Sequence, residues 1–263
     1  MPVLLAAIDD SAAARPVLEA AGRLGPLFDA SPIAVYVTED GGGATARAVC
    51  DAAHVPLRVR RGDARTRLVE LAAADDVVAV VAGARRVPVG ATPAGHVALH
   101  LIEWVGKPVV VVPPAPAASR PFRRVLVPVD DDPTTWNALR PLLARLIDRS
   151  TAEIVALHVF EPDAIPPYSD HNGHEAEAWA RVFLERCFPG ADEKARVEVR
   201  VGLAPEAVPE VVAETDPDLV LVAWHQDLTP GRARVVRTLL ARAAVPLLLV
   251  PAPVAAQSRA RSA

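Results

Sequence analysis

The sequence predicts an α/β fold made of two tandem, doubly wound, parallel five-stranded sheets with helices on both faces. Three observations predict it: an internal repeat, strands that are near-continuous runs of Val, Leu and Ile, and their regular alternation with helical patterns. Hydrophobic residues make up 51% of the chain and aromatic residues only 4%, so the core must consist of short aliphatic runs. Such runs are typical of strands that helices cover on both faces.

The internal repeat opens with two strands that end in carboxylates. Segment 3–10, VLLAAIDD, matches segment 125–132, VLVPVDDD. A helical pattern follows each strand: Asp132 and Pro133 predict an N-cap and a first turn in the second copy, and Ser11 predicts a cap in the first. Each copy therefore begins with the same strand and helix.

Four further strands are predicted in each copy. A glycine follows the third of the five strands in each copy. Those glycines, Gly62 and Gly202, each precede another helix. The tryptophans Trp104 and Trp136 fall in helical patterns and are interpreted as packing residues. The predicted strands are 33–37, 57–60, 77–82 and 109–112 in the first copy, and 154–159, 197–201, 219–223 and 247–250 in the second.

The repeat divides the chain into a first domain over 1–116 and a second over 121–253, joined by the proline-rich segment 113–121. The second copy carries an insertion over 163–192 with a predicted helix, and the small, polar tail 254–263 is expected to be disordered. The fifth strands are predicted edges of their sheets. Because unpaired edges invite another strand, we expect them to pair within one chain or between two chains of a homodimer.

Composition and charge exclude several classes of protein. The net charge of −4 comes with scattered Lys and Arg, which argues against a nucleic-acid partner. The two cysteines, Cys50 and Cys187, are far apart and suggest neither a disulfide framework nor a zinc site. No apolar run approaches the length of a membrane span, and the start of the chain does not resemble a secretory signal. These features predict a cytoplasmic protein without a membrane partner.

The candidate site follows from the fold. Ligands of open parallel sheets bind beyond the carboxyl ends of the strands, where strand order reverses. Asp9 ends the first strand there, and segment 83–95, GARRVPVGATPAG, follows the fourth. Its glycines would let backbone N–H groups approach a phosphate, or would simply make a turn. Asp9 either contacts a ligand or caps a helix, whereas capping is the favoured role of Asp10 and Asp132.

On these residues the chain resembles the universal stress protein family in its tandem form. ATP-binding members of that family carry an aspartate at the end of strand one and a loop G-x2-G-x9-G-S/T after strand four. The resemblance implies an adenine nucleotide alpha hydrolase-like, Rossmann-like fold and a site for ATP or another adenine nucleotide in the first domain. The implied cofactor-binding residues are Asp9, Gly83, Arg86, Gly90, Thr92, Gly95 and His96.

This chain departs from the family pattern in both copies. Arg86 stands at the second glycine of the loop, and His96 replaces the hydroxyl residue. In the second copy, residues 223–227 read AWHQD where the loop should begin. A bulky Trp224 and an acidic Asp227 disfavour a phosphate there, so the second copy is expected to be degenerate.

Three functions stay open from the sequence. The first is a stress-response protein that binds an adenine nucleotide, and the second is an interaction or scaffolding module that has lost this ability. The third is a slow ATPase or a metal-dependent enzyme. His171 and His174 could ligate a metal, but their surroundings favour a loop entering a helix, and no metal is expected. No GxSxG, P-loop or HExxH motif is present, so no catalytic residue is nominated and an enzyme is not favoured.

Overall fold

The structure is a computed structural model that describes residues 1–11, 14–84, 95–114, 122–130, 132–161, 194–242 and 245–253. These residues form ten strands and seven helices. In chain order they are β1 Val3–Ile8, α1 Ala14–Phe28, β2 Ser31–Thr38, α2 Ala44–Ala53, β3 Leu57–Arg61, α3 Ala64–Ala72, β4 Val77–Gly83, α4 His96–Trp104, β5 Val109–Val112, β6 Arg124–Val129, α5 Pro133–Arg149, β7 Glu153–Phe160, β8 Ala195–Val201, α6 Ala204–Thr215, β9 Leu219–Trp224, α7 Arg234–Ala241 and β10 Leu247–Pro251.

All ten strands belong to one sheet in the order β3-β2-β1-β4-β5-β10-β9-β6-β7-β8. Neighbouring strands are parallel except for β5 and β10, which pair antiparallel with Val110 opposite Leu248. The predicted α/β fold is confirmed, and each half of the chain has the strand order of a doubly wound sheet. The two five-stranded sheets are joined edge to edge within one chain, through the strands predicted to pair.

Equivalent hydrogen bonds show how closely the two halves repeat. The N–H of Val80 donates to Pro108 O at 2.9 Å in the first half, and that of Val220 donates to Pro246 O at 3.0 Å in the second. At the ends of β3 and β8, Gly62 and Gly202 both have positive φ, 122° and 153°. Glycine adopts this backbone without the strain that a Cβ would cause.

The core lies on both faces of the sheet and crosses the seam between the halves. One apolar cluster packs α1, α2 and α5 against the sheet, and the other packs α3, α4, α6 and α7. Helices α1 and α5 also meet across the seam, where the Arg145 guanidinium donates to Leu27 O at 3.3 Å. No helix among the described residues is long and apolar enough to cross a membrane.

Some local predictions were wrong. Helix α2 lies in a stretch for which no helix was predicted. Asp10 caps this helix, because its Oδ1 accepts the N–H of Ala46 at 2.9 Å. Trp104 is 64% exposed and is not a core residue, whereas Trp136 packs against the core as predicted. The predicted insertion 163–192 and tail 254–263 lie outside the described residues.

Candidate functional site

Each half has a cavity at the carboxyl ends of its strands, where strand order reverses. The first-half cavity has a volume of about 490 Å³, and the second-half cavity about 500 Å³. Each is bounded by the segments that follow the first and fourth strands of its half and by the start of the last helix. Both are of the size that small-molecule sites have in proteins.

Four of the seven predicted site residues lie together in the first-half cavity. Asp9, Gly83, Gly95 and His96 all line it. Asp9 follows β1, Gly83 ends β4, and the other two begin α4, so three separate segments converge on one space. The other three predicted residues lie in segment 85–94, which is outside the described residues; they are Arg86, Gly90 and Thr92.

Asp9 makes only local hydrogen bonds among the residues that the structure describes. Its Oδ1 accepts the N–H of Ser11 at 3.1 Å and the hydroxyl of the same residue at 2.5 Å. Its Oδ2 has no hydrogen-bond partner among the described residues. The carboxylate is therefore held in place at the cavity wall with one oxygen available to a ligand.

Helix α4 begins at the same cavity without a side-chain cap. Its N-cap is Gly95, with φ −60° and ψ 148°, and no side-chain hydrogen bond caps it. These angles suit any residue, so backbone geometry does not require glycine there. His96, Val97 and Ala98 of the first turn line the cavity, and no side chain of the described residues caps the helix there. The N–H groups of a helix's first turn and the positive end of its dipole favour an anion.

The carboxylate at the end of β6 is held by the protein in nearly the same way as Asp9. Asp130 stands at the end of β6 as Asp9 does at the end of β1, and its Oδ1 accepts the hydroxyl of Thr135 and the N–H of Asp132. The residue five positions after Asp9 is Ala14, which cannot donate in this way. The second half thus fixes this carboxylate by a contact that the first half lacks.

Asp132 joins the start of α5 to the loop after β9. Its Oδ1 accepts the N–H of Thr134 at 2.8 Å, so the predicted N-cap is confirmed. Its Oδ2 lies 2.9 Å from Nε2 of His225. The Thr134 N–H, the hydroxyl of the same residue and His225 hold the pKa of this carboxyl below its ordinary value of 3.8. Hydrogen bonds that stabilise the charged form lower a carboxyl pKa in this way.

The loop after β9 carries a second acidic residue and a bulky one. The bonds of Val80 and Val220 to their fifth strands align Gly83 with Ala223, and therefore Ala84 with Trp224. Trp224 is buried and lines the second-half cavity, as does Asp227. Hydrogen bonds from Thr229, through its hydroxyl and its N–H, lower the Asp227 pKa, and the charge of Arg232 lowers it further. Arg232 Nε lies 3.9 Å from Asp227 Oδ2, and both residues line the cavity.

Gln226, in the same loop, has a role that sequence reasoning missed. Its side-chain amide donates to the carbonyl oxygens of Ile102 and Val105 at the C-terminal end of α4, at 2.9 Å each. Its φ is +55°, a left-handed backbone conformation that residues other than Gly and Asn rarely adopt. The contact joins residues more than 100 positions apart, and no local pattern signals it.

No group of three or more potential metal ligands occurs among the described residues. The histidines considered as ligands, His171 and His174, lie outside them. In the second-half cavity, His158 is buried in β7, and its Nδ1 lies 3.3 Å from the carbonyl oxygen of Val129. The His158 ring is therefore engaged by the protein backbone.

The fold and the two cavities define a duplicated, doubly wound α/β protein with ligand-sized sites at the strand-order reversals. Residues 121–251 match the sequence model of the universal stress protein family. The chain belongs to this family. No curated protein sequence matches it.

Two crystal structures resemble almost the whole chain. A universal stress protein from Archaeoglobus fulgidus has a TM-score of 0.71 and 16% identity, with 95% of this chain and 96% of that chain covered. A candidate universal stress protein from Pseudomonas aeruginosa has a TM-score of 0.68 and 10% identity, with 96% and 94% covered. At these identities the resemblance shows the fold, and it extends over both halves.

Proposed function

We propose that this universal stress protein binds ATP or another adenine nucleotide in its first-half cavity and acts through that ligand-dependent state. The observation that carries the proposal is the start of α4, whose first-turn residues line the cavity behind a glycine N-cap that has no side-chain hydrogen bond. A phosphate is the ligand group that such a helix start binds most readily.

The rest of the cavity supports a ligand with a phosphate at one end and polar ring atoms at the other. Asp9 offers a carboxylate oxygen on the segment that follows β1, and β1 and β4 are adjacent strands. A carboxylate would repel phosphates but can accept hydrogen bonds from a ribose hydroxyl or an amino group. We therefore assign the phosphates to the α4 end and the nucleoside to the Asp9 end.

The second-half cavity is proposed not to bind a nucleotide. Its volume is no smaller than that of the first-half cavity, so size does not distinguish the two cavities. The two cavities differ in what lines them: in the second half the buried Trp224 stands where the first half has Ala84, and the Asp227 carboxylate lines the cavity together with Arg232 and Arg234. We expect the bulk of Trp224 and the charge of Asp227 to disfavour a phosphate there.

The test is calorimetry with ATP on the full-length chain and on two variants of one residue, Gly95→Asn and Gly95→Asp. Both side chains can cap α4 and are nearly equal in size, so they differ only in charge. We expect Gly95→Asp to bind ATP about tenfold to a hundredfold more weakly than Gly95→Asn, because the added carboxylate repels a phosphate at close range.

Adenosine provides the control, since it lacks phosphates. Its affinity should be the same in Gly95→Asn and Gly95→Asp. Equal ATP affinities in the two variants would place the phosphates elsewhere. The absence of any heat with the unaltered protein would reject nucleotide binding and favour the scaffolding hypothesis.

A further inference from the structure

The two cavities are connected by helix α4 and Gln226. The first turn of α4 lines the first-half cavity, and its last turn receives the Gln226 side chain from the second half. The residues on either side of Gln226, His225 and Asp227, line the second-half cavity. A single short helix therefore separates the proposed nucleotide site from a loop of the other half.

Gln226 donates hydrogen bonds to carbonyl groups at the end of α4 that have few alternative donors. The last four carbonyl groups of a helix have no partner within it. Here Leu101 O accepts the N–H of Val105 at 2.9 Å, and Gln226 supplies donors to Ile102 O and Val105 O. Ile102 and Val105 are both buried, so water is poorly placed to replace the amide.

The backbone of Gln226 indicates that this contact is maintained against a local preference. A φ of +55° is unfavourable for glutamine, so the surrounding structure must hold the residue in this conformation. The two hydrogen bonds of its side chain are the fixing contacts that the structure shows. Strain of this kind clusters at sites where geometry matters for function.

Movement at one end of α4 must reach the other. The helix has nine residues, which makes it about 13 Å long. Ala98, Leu101 and Ile102 are buried along it, so it packs as a rigid element against the sheet. A shift of its last turn therefore displaces the first-turn residues that line the first-half cavity.

We propose that Gln226 is a positioning residue through which the second half sets the geometry, and so the ligand affinity, of the first-half cavity. Only the identity of the ligand rests on the proposed function. The positioning of α4 does not, because it can be measured on the protein without nucleotide. Losing a contact that couples two sites typically changes affinity by about threefold to thirtyfold.

Two substitutions test the proposal. Gln226→Leu removes the amide donors and keeps a side chain of similar size. Gln226→Gly removes the donors and also relieves the backbone strain. Ser150→Ala is the matched control, because it removes another donor to a helix C-terminal carbonyl, that of Leu146 at 2.7 Å, on the opposite face of the sheet.

Hydrogen exchange of the α4 amides and ATP affinity are measured for all four proteins. We expect both Gln226 variants to exchange Leu99 to Trp104 faster and to bind ATP about threefold to tenfold more weakly, with Ser150→Ala unchanged in both. Wild-type exchange in both Gln226 variants, or equal acceleration in Ser150→Ala, would overturn the positioning role. Faster exchange with unchanged ATP affinity would overturn the link to the cavity. If the unaltered protein binds no ATP, the proposed function fails while the exchange data still decide the role of Gln226.

Discussion

The two cavities occupy equivalent places and have nearly equal volumes, yet their polar groups are used differently. Among the described residues of the first half, Asp9 accepts hydrogen bonds from Ser11 alone, and α4 begins behind Gly95, whose backbone is ordinary. In the second half, Asp130 accepts hydrogen bonds from Asp132 and Thr135, and α7 begins behind Ala233, whose φ is positive. Neither helix start has a side-chain cap, so the two copies differ in how the carboxylate and the helix start are held rather than in whether they are capped.

The seam explains why the second copy need not be a binding site to be useful. Strands β5 and β10 pair antiparallel, and both apolar clusters continue from one half to the other. The second half also supplies Gln226 to the end of α4. The loop after β9 therefore serves as a structural contact with the first half. A phosphate-binding loop at this place would need glycines.

The strongest test of this difference between the halves removes one carboxylate from each half. Asp132→Ala should lower the free energy of unfolding by about 2 kcal/mol, because it deletes the N-cap of α5 and the contact with His225. Asp9→Ala should change it by about 0.5 kcal/mol or less, since only bonds to Ser11 are lost. Urea unfolding measures both. Equal losses would mean that Asp9 is as structural as Asp132.

The same carboxylate predicts a pH dependence. Hydrogen bonds led by the N–H of Thr134 lower the pKa of Asp132 in the folded protein below its ordinary value of 3.8. A depressed folded-state pKa stabilises the protein above the unfolded-state pKa, and this stabilisation disappears as the pH falls through the folded-state value.

Asp132→Asn isolates this effect, because Asn caps a helix about as well as Asp but cannot ionise. The difference in unfolding free energy between wild type and Asp132→Asn should shrink as the pH falls below about 4. It should also be smaller than the loss in Asp132→Ala. Urea unfolding at a series of pH values measures it, and a difference that does not shrink below about pH 4 would contradict the assignment.

The fold could be predicted in detail because its signals are local and doubled. The strand 109–112 was predicted with its observed bounds, and the other strands after the first of each copy differ from the observed ones by up to two residues at an end. Helix α2 was missed since Gly41 to Gly43 indicate a turn and its cap comes from Asp10, on another segment. A cap supplied from 36 residues away leaves no local pattern to read.

The candidate site could be predicted only in part, for a related reason. Asp9, Gly83, Gly95 and His96 converge as the rule for parallel sheets requires. Gln226 could not be found, because the alignment of a side-chain amide with two carbonyl groups in the other half depends on how the halves are joined. The antiparallel pairing of β5 with β10 fixes that arrangement, and the sequence left open whether the pairing was within one chain.

The smallest expected effect concerns the start of the last helix in each half. The N-cap of α7 is Ala233 with φ +46°, whereas the N-cap of α4 is Gly95 with an ordinary backbone. Ala233→Gly should therefore stabilise the protein by about 0.5 kcal/mol, because glycine adopts a positive φ without a steric cost. The control is Ala213→Gly in the exposed part of α6, which should destabilise by about 1 kcal/mol. Both are measured by urea unfolding, and a loss of stability in Ala233→Gly would show that the second-half helix start is not strained.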